Sequence, residues 1–179
     1  LGVIYSLCAT DPEAARKAIK RFSDFLRGNM DSLKNREPIP FEAELNHAMN
    51  YLYLEQQRFG DKLQVIYQIK TEGFLIPPLT LQPLVENAVQ HGVLHRKNGG
   101  TVVIRTEETD EGAVVTIEDN GVGMEKAKEH ATLGEHSHIG ISNVRSRLEE
   151  MVGGRLTLES NSLGTTATIL IPWKEERSL

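Results

Sequence analysis

The sequence predicts an α+β fold, in which an antiparallel helical hairpin precedes a mixed, mostly antiparallel sheet with helices on one face. In the first third of the chain, apolar residues recur at helical spacing with one interruption by two prolines. In the remainder, several segments alternate apolar and polar residues and are rich in β-branched side chains. We therefore expect a helical hairpin in residues 1–60 and an α/β domain in residues 61–179.

Local signals set the boundaries of the two helices of the hairpin. Asp11 and Pro12 are typical of an N-cap and a first helical position. The apolar pattern breaks at the prolines of residues 35–40, resumes at Phe41, and ends at Gly60, a residue suited to a helix C-cap. Because two helices alone bury little apolar surface, we expect a second copy of the chain or the adjoining domain to complete their core.

The α/β domain is predicted to contain strands and two helices. The tetrapeptide at residues 109–112 is typical of a hairpin turn between the second and third strands. The helices are expected at residues 81–92 and from Gly140 to about residue 152, where two glycines follow. The predicted strands are residues 63–70, 101–108, 113–119, 155–160 and 165–172.

Charge and composition exclude several classes of function. The formal net charge of -5, with no run of Lys and Arg, argues against a nucleic-acid ligand. No apolar run approaches the roughly 18 residues of a membrane-spanning helix. The single Cys8 fits a reducing compartment and is expected to be a small buried side chain. Because the chain begins with Leu1 and not Met, we expect a piece of a longer protein, with any membrane or sensor part outside it.

The predicted helix at residues 81–92 carries two polar side chains on one face. Asn87 and His91 are four residues apart, whereas apolar residues form a stripe on another face. This spacing suggests that the polar face meets a polar ligand. Two structural alternatives stay open: Asn87 as a core amide with internal partners, and His91 as a surface histidine near a helix end.

A second polar motif follows the third predicted strand. Asp119 lies where the chain leaves the sheet, and Gly121 and Gly123 permit backbone conformations or close contacts that a Cβ forbids. Asp-Asn-Gly is also a common turn, so this motif alone is weak.

The segments after this motif have features of a binding site. Residues 125–138 are polar with few apolar anchors, which is typical of a mobile lid. Gly140 is expected to open a helix whose free N–H groups suit a phosphate. Gly164 and Thr165 then precede the last predicted strand.

In this order, the motifs resemble the four boxes of the Bergerat-type ATP-binding fold shared by histidine kinases, DNA gyrase and MutL. Two segments are similar to LytS-type sensor histidine kinases more closely. Residues 76–92, IPPLTLQPLVENAVQHG, are similar to the signature of that family, and the sequence of residues 40–63 is similar to its helical part. The similarity extends over residues 1–172. It implies the C-terminal region of such a kinase: partial dimerisation and phosphotransfer helices, then the ATP-binding domain.

The resemblance implies a role for each matching residue. Asn87 would bind Mg²⁺ on the nucleotide phosphates, because a side-chain carbonyl suits this hard cation. His91 would point toward the phosphates. Asp119 would accept the amino group of adenine, and a base without that group would leave the buried carboxylate unpaired.

The remaining roles concern the walls of the pocket and the lid. Gly121 and Gly123 would shape the pocket and act as a hinge for the lid. Gly140 and Ile141 would offer backbone amides to a phosphate. Thr165 would help to hold the adenine and its carboxylate partner through water.

Some positions depart from the family pattern. Pro83 stands where hydrolytic relatives carry a Glu that activates water, so efficient ATP hydrolysis is not expected. Gln90 replaces a frequent Lys, which removes one charge directed at the phosphates. His138 and Ser162 stand where glycines often begin two of the boxes, which affects the expected geometry of the lid.

Two further sets of candidate residues are better explained by structural or solvated positions than by a catalytic or metal-binding role. Glu86 lies about 100° around the helix from the neighbouring Asn87, so a structural role is at least as good an explanation as a general base. His130, His136 and His138 crowd the lid, but their spacing matches no structural zinc site and the chain has a single Cys. We expect them to be solvated.

The resemblance also implies what the chain lacks. The family's phosphoacceptor His lies in a segment before the point where this sequence starts, and none of the six His has that context. His47, in the second helix, is expected to be exposed. The chain is therefore expected to bind ATP with Mg²⁺ without phosphorylating itself.

The intact protein would transfer the γ-phosphoryl group of ATP to a His for relay to an Asp of a response regulator. It would form a homodimer through the hairpin, and this region would be a cytoplasmic domain of a bacterial inner-membrane protein. A non-catalytic nucleotide-binding module that signals through dimer contacts is the alternative. An ATP-driven machine like MutL is disfavoured by Pro83.

Overall fold

A computed structural model describes residues 2–123 and 135–173 of the chain. Its helices are α1 (Gly2–Thr10), α2 (Pro12–Lys34), α3 (Phe41–Phe59), α4 (Leu81–Asn87) and α5 (Glu135–Val152). Its strands are β1 (Ile39–Pro40), β2 (Leu63–Ile69), β3 (Leu75–Ile76), β4 (Gly100–Glu108), β5 (Gly112–Asp119), β6 (Arg155–Asn161) and β7 (Gly164–Pro172).

Helices α2 and α3 form the predicted antiparallel hairpin. The Asp11 carboxylate accepts a hydrogen bond of 3.0 Å from the N–H of Ala14, and Gly60 ends α3 with φ 55°, so both predicted caps are confirmed. The helix α1, which precedes this cap, buries none of its residues. Cys8 is exposed, so the prediction of a buried thiol is wrong, because α1 contributes no residue to the buried core.

Five strands form one mixed sheet in the order β2-β4-β5-β7-β6. β2 and β4 are parallel, and every other neighbouring pair is antiparallel. The turn between β4 and β5 is the predicted hairpin turn, with a hydrogen bond of 2.9 Å from the N–H of Thr109 to the carbonyl oxygen of Gly112. The predicted fold class is confirmed.

One face of the sheet and the helices α3, α4 and α5 share a continuous apolar core. This core includes the buried side chains of Val115 and Ile117 in β5, Val85 in α4 and Leu148 in α5. Leu52 of α3 belongs to the same core, so α3 of the hairpin packs on the adjoining domain, which is one of the two predicted routes. The domain boundary near residue 60 stays a prediction.

Contacts at the start of α3 join the hairpin to the α/β domain. β1 pairs with β3 in a short antiparallel ladder, and Phe41 stacks on Phe74 with ring centroids 4.6 Å apart. The N-terminal end of α3 is thereby fixed close to α4. In the described part of the chain, no helix has the length and apolar character needed to cross a bilayer.

Candidate nucleotide site

Asp119 is the last residue of β5, and its side chain is only 5% exposed. Its Oδ1 accepts a hydrogen bond of 2.8 Å from the N–H of Gly121. Burial raises the pKa of Asp119 to about 6, while the backbone N–H groups of Gly121 and Thr165 act in the opposite direction. A carboxylate has about four acceptor positions, so Asp119 keeps the capacity to accept hydrogen bonds from a ligand.

Two glycines bring the end of the α4 segment directly against this carboxylate. A Cβ at Gly92 would lie 2.4 Å from Oδ1 of Asp119. A Cβ at Gly121 would lie 2.2 Å from the carbonyl carbon of Gly92. Both distances are shorter than any ordinary contact, so glycine is required here by space. The sequence indicated Gly92 only as a helix end, and its place in the site was missed.

Two more predicted residues lie near Asp119, one along the chain and one in the neighbouring strand. Gly123 has φ 78°, in the region that favours glycine, four residues after the carboxylate. Thr165 of β7 is the register partner of Asp119 in β5, and its hydroxyl lies 2.9 Å from the hydroxyl of Ser160. Asp119, Gly121 and Thr165 therefore lie together. The proposed roles of Gly123 and Thr165 toward a ligand stay predictions.

The segment that carries Asn87 is less regular than predicted. α-Helical geometry ends at Asn87, and a π turn at Ala88–Gly92 follows. Such turns interrupt α-helices frequently at functional sites. Asn87 and His91 are four residues apart across the start of this π turn, and their shared polar face stays a prediction. Asn87 is half-buried, and no hydrogen bond joins its side chain to another residue within the described ranges.

His91 lies in the π turn and is half-buried. Its ring stacks on that of His95 with centroids 6.2 Å apart. Burial lowers the pKa of His91, and the neighbouring His95 adds to this effect. A neutral imidazole can still exchange hydrogen bonds with a phosphate, but it does not supply a positive charge. Its orientation toward phosphate stays a prediction.

Gly140 and Ile141 are not at the start of a helix. α5 begins at Glu135, five residues earlier than predicted, so Gly140 is its sixth residue. Only the first four N–H groups of a helix lack partners inside it, which makes the prediction of free amides at Gly140 and Ile141 wrong for this conformation. The side chain of Ile141 is buried in the core. Their predicted contact with a phosphate would require the first turns of α5 to unwind.

Two positions of α4 were considered for a catalytic base, and the residues at both have structural roles. Glu86 accepts a hydrogen bond of 2.7 Å from Nε2 of Gln82 within α4, which agrees with the structural explanation. Pro83 lies in the first turn of α4, where proline is tolerated, and it packs beside Gly140 of α5. Position 83 of α4 therefore offers no carboxylate to activate water.

The lid prediction falls mostly on residues 124–134, which lie outside the described residues, as does His130. His136 and His138 fall in the first turns of α5, and their side chains are outside the description too. Within residues 2–123 and 135–173, no group of three or more His, Cys, Asp or Glu side chains is placed to hold a metal ion.

Two buried polar residues of α3 contact α4, and neither contact was predicted. Glu44, 1% exposed, accepts hydrogen bonds from the backbone at the start of α4. His47, 7% exposed, contacts Oε1 of Gln82 through Nε2, so the prediction that it is exposed is wrong. Both residues fall on the helical stripe that Phe41 and Tyr51 define, which was the available signal in the sequence.

A buried carboxylate closed in by glycines, at the end of the central strand of an α/β sandwich, defines the class of protein as a nucleotide-binding domain. Residues 77–175 match the family described as histidine kinase-, DNA gyrase B- and HSP90-like ATPase, and the chain belongs to that family. It has the ATP-binding domain of the family. Residues 1–63 match the histidine kinase family.

Relatives with curated sequences match almost the whole chain. The sensor histidine kinase YpdA of Escherichia coli K12 is 37% identical over 96% of this chain and 31% of its own length. The sensor histidine kinase/phosphatase LytS of Staphylococcus aureus MRSA252 is 31% identical over 98% of the chain and 32% of its own length. Protein YwpD of Bacillus subtilis 168 is 33% identical, and the chain spans 63% of it. The chain is thus similar to part of each relative.

Solved structures share the fold. The histidine kinase domain of the blue-light activated kinase EL346 from Erythrobacter litoralis superposes with a TM-score of 0.58 at 20% identity, over 94% of this chain and 80% of that one. The histidine kinase AdeS of Acinetobacter baumannii gives a TM-score of 0.57 at 15% identity, over 94% and 83%. At these identities the likeness supports the fold, including the helices that precede the sheet.

Proposed function

We propose that this chain is the catalytic region of a two-component sensor histidine kinase, which binds Mg-ATP and transfers the γ-phosphoryl group to a histidine. The observation that carries the proposal is Asp119, buried against Gly92 and Gly121 with spare acceptor capacity. Membership of the ATPase family and the names of the relatives support it. A response regulator Asp would receive the phosphoryl group next.

Asp119 would select adenine. Its carboxylate accepts the exocyclic amino group, while the Gly121 N–H holds the other side of the carboxylate in place. A base without an amino group at this position would leave a buried carboxylate without a partner, at a cost of about 1–3 kcal/mol or more. Gly121 and Gly123 would line the pocket, and Thr165 would contact the adenine through water.

The phosphates would lie toward Asn87 and His91. Asn87 offers one neutral oxygen, which fits Mg²⁺ because this cation keeps several waters and takes its other ligands from phosphate. Bound Mg²⁺ supplies charge neutralisation for the β- and γ-phosphates. Gly140 and Ile141 would contribute amides only if the start of α5 opens. The absence of a carboxylate at Pro83 supports transfer to histidine over hydrolysis.

The chemistry would depend mostly on positioning. A neutral imidazole nitrogen of the acceptor attacks the γ-phosphorus in line, as the bond to the β–γ bridging oxygen breaks and ADP leaves. The chain's own contribution is to hold the nucleotide and to neutralise its charge. Ile19, Leu26 and Met30 expose apolar side chains along α2, which supports a homodimer through the hairpin. We place the region in the cytoplasm, as part of a bacterial inner-membrane sensor.

Calorimetric titration of Mg-ATP, ADP and GTP into the chain and into Asp119→Asn tests the binding step. We expect saturable binding of ATP and ADP by the unmodified chain, with weak GTP binding and a loss of adenine preference in the variant. An unmodified chain that binds no nucleotide up to millimolar concentration would remove the kinase proposal.

Transfer is tested by adding a helical hairpin that carries an acceptor histidine, with radiolabelled ATP. Acid-labile label on the added histidine is the expected result. Binding of ATP without any transfer to it would instead favour the non-catalytic signalling module.

A further inference from the structure

The start of α4 is held by a side chain from another helix. Oε1 of Glu44 in α3 accepts a hydrogen bond of 2.7 Å from the N–H of Leu79. Oε2 accepts bonds of 3.0 Å from the N–H groups of Thr80 and Leu81. Two carboxylate oxygens therefore bind three consecutive amides, and these amides include the one that begins α4.

No residue of α4 itself caps the amides at the start of the helix. Thr80, at the N-cap position, makes no capping hydrogen bond, and its hydroxyl donates to the carbonyl oxygen of Pro77 at 2.6 Å. A Thr at this position ordinarily caps its own helix. Glu44 thus replaces the local cap from 36 residues away in sequence.

The backbone at the bound amides has an unusual conformation. Leu79 has φ 56°, a region that L-residues with a Cβ seldom adopt. Its N–H is held by Glu44, and its carbonyl oxygen accepts a hydrogen bond of 2.7 Å from Arg147 of α5. The start of α4 is therefore fixed from both sides, by α3 and by α5.

A second contact fixes the first turn of α4. Nε2 of His47, one turn after Glu44 in α3, contacts Oε1 of Gln82, and it also lies 3.1 Å from Oδ1 of Asn29 in α2. Two attachments along one face determine both the axial position and the rotation of α4. Asn87 is the last residue of this seven-residue helix, so it follows any displacement of the helix start.

We infer that Glu44 is a positioning residue, which sets the place of Asn87 and thereby the Mg²⁺-dependent part of nucleotide binding. This inference rests on the proposed function. A carboxylate is a costly choice for a position that needs only stability, since burial of a charge commonly costs more than apolar packing. The carboxylate of Glu44 instead fixes the position and direction of α4, because the three amide donors that it binds define where the helix can start.

The adenine end of the site has anchors of its own besides this contact. Asp119 is held by the N–H of Gly121 and by the β5–β7 ladder, neither of which includes Glu44. Loss of the carboxylate at position 44 should therefore weaken the effect of Mg²⁺ more than it weakens metal-free nucleotide binding. A purely structural role would change both affinities by the same factor or change neither.

The experiment compares ATP affinity with and without Mg²⁺ for the unmodified chain, Glu44→Gln, and Glu42→Gln, which alters an exposed Glu on the same helix. The ratio of the two affinities measures the Mg²⁺ effect, and a thermal melt shows that each variant is folded at the temperature used. We expect Glu44→Gln to lower this ratio about tenfold, as substitutions behind metal ligands commonly do. Glu42→Gln should leave it unchanged.

If Glu44→Gln does not fold, Arg147→Lys gives the milder test, because it loosens the same segment from the α5 side. A folded variant that keeps the Mg²⁺ ratio of the unmodified chain while losing only thermal stability would overturn the inference. An unmodified chain that binds no ATP would remove both the inference and the proposed function, so the two failures are distinguishable.

Discussion

The two ends of the candidate site are built in different ways. Asp119 sits at the end of a paired strand, closed in by the backbone of Gly92 and Gly121, with no flexible side chain in between. Asn87 ends a short helix whose start is held by side chains from α3 and α5. The proposed adenine end is therefore rigid, while the proposed phosphate end is adjustable. Control of activity is expected at the phosphate end.

The largest expected effect is at the rigid end. Gly92→Ala places a Cβ 2.4 Å from Oδ1 of Asp119. Because the sheet cannot move away, we expect ATP affinity to fall about 100-fold, close to the upper range of about 3 kcal/mol for overpacking. Calorimetric titration measures it. Gly73→Ala, where a Cβ would meet nothing within 4 Å, is the control. Equal affinities for both variants would show that the adenine end can yield.

The pH dependence of stability tests the burial of Asp119 at the rigid end of the site. Asp119 has a pKa raised to about 6 in the fold, against 3.8 as the ordinary value. Its stabilising contribution is therefore complete below about pH 4 and is lost as the pH rises through about 6. The free energy of unfolding of the unmodified chain, relative to Asp119→Asn, should fall by about 2 kcal/mol from pH 4 to pH 7.

Urea titrations at several pH values measure this difference. Saturating ATP should move the transition to lower pH, since the adenine amino group favours the ionised carboxylate. A difference between the two chains that is constant with pH would mean that Asp119 titrates normally.

A smaller effect is expected at the adjustable end. His47→Leu removes the ring nitrogen that contacts Gln82 and Asn29 and leaves the oxygen of the buried Gln82 without this partner. We expect a loss of about 2 kcal/mol in the free energy of unfolding, measured in urea. Asn46→Ala, at an exposed position beside it, should change little. A stable His47→Leu variant would show that hydrogen bonds to this ring contribute little.

The smallest effect decides the role of Gly140. It lies inside α5, and an added Cβ would meet Pro83 at an ordinary 3.7 Å. Gly140→Ala should therefore stabilise the fold by about 0.5–1 kcal/mol, the helix propensity difference, with ATP affinity unchanged. Thermal melts and titrations measure the two. A marked loss of affinity would restore the role predicted from the sequence, in which the start of α5 opens for phosphate.

The same contrast explains what the sequence could predict. Strand alternation and cap residues such as Gly60 are local signals, and they placed β5, Asp119 and the end of α3 correctly. Glu44 and His47 were missed because the groups that they contact at the start of α4 are 35 or more residues away, and polar residues on a helix are assigned to solvent by default.

Two backbone features had no local signal either. The π turn after Asn87 depends on how the chain reaches Gly92 against Asp119, a tertiary requirement. The early start of α5 was missed because a glycine was taken as a helix boundary, whereas tertiary packing overrides propensity at Gly140.

The short connection between α3 and the sheet gives α3 the geometry of a lever. Only Gly60–Lys62 separate α3 from β2, which is anchored to β4 by a parallel ladder. Sliding of α3 along its axis would break that ladder. A tilt of α3 would therefore pivot at Gly60, which has φ 55°. Glu44 lies about 24 Å from it at 1.5 Å per residue, and a tilt of about 5° would carry its carboxylate about 2 Å.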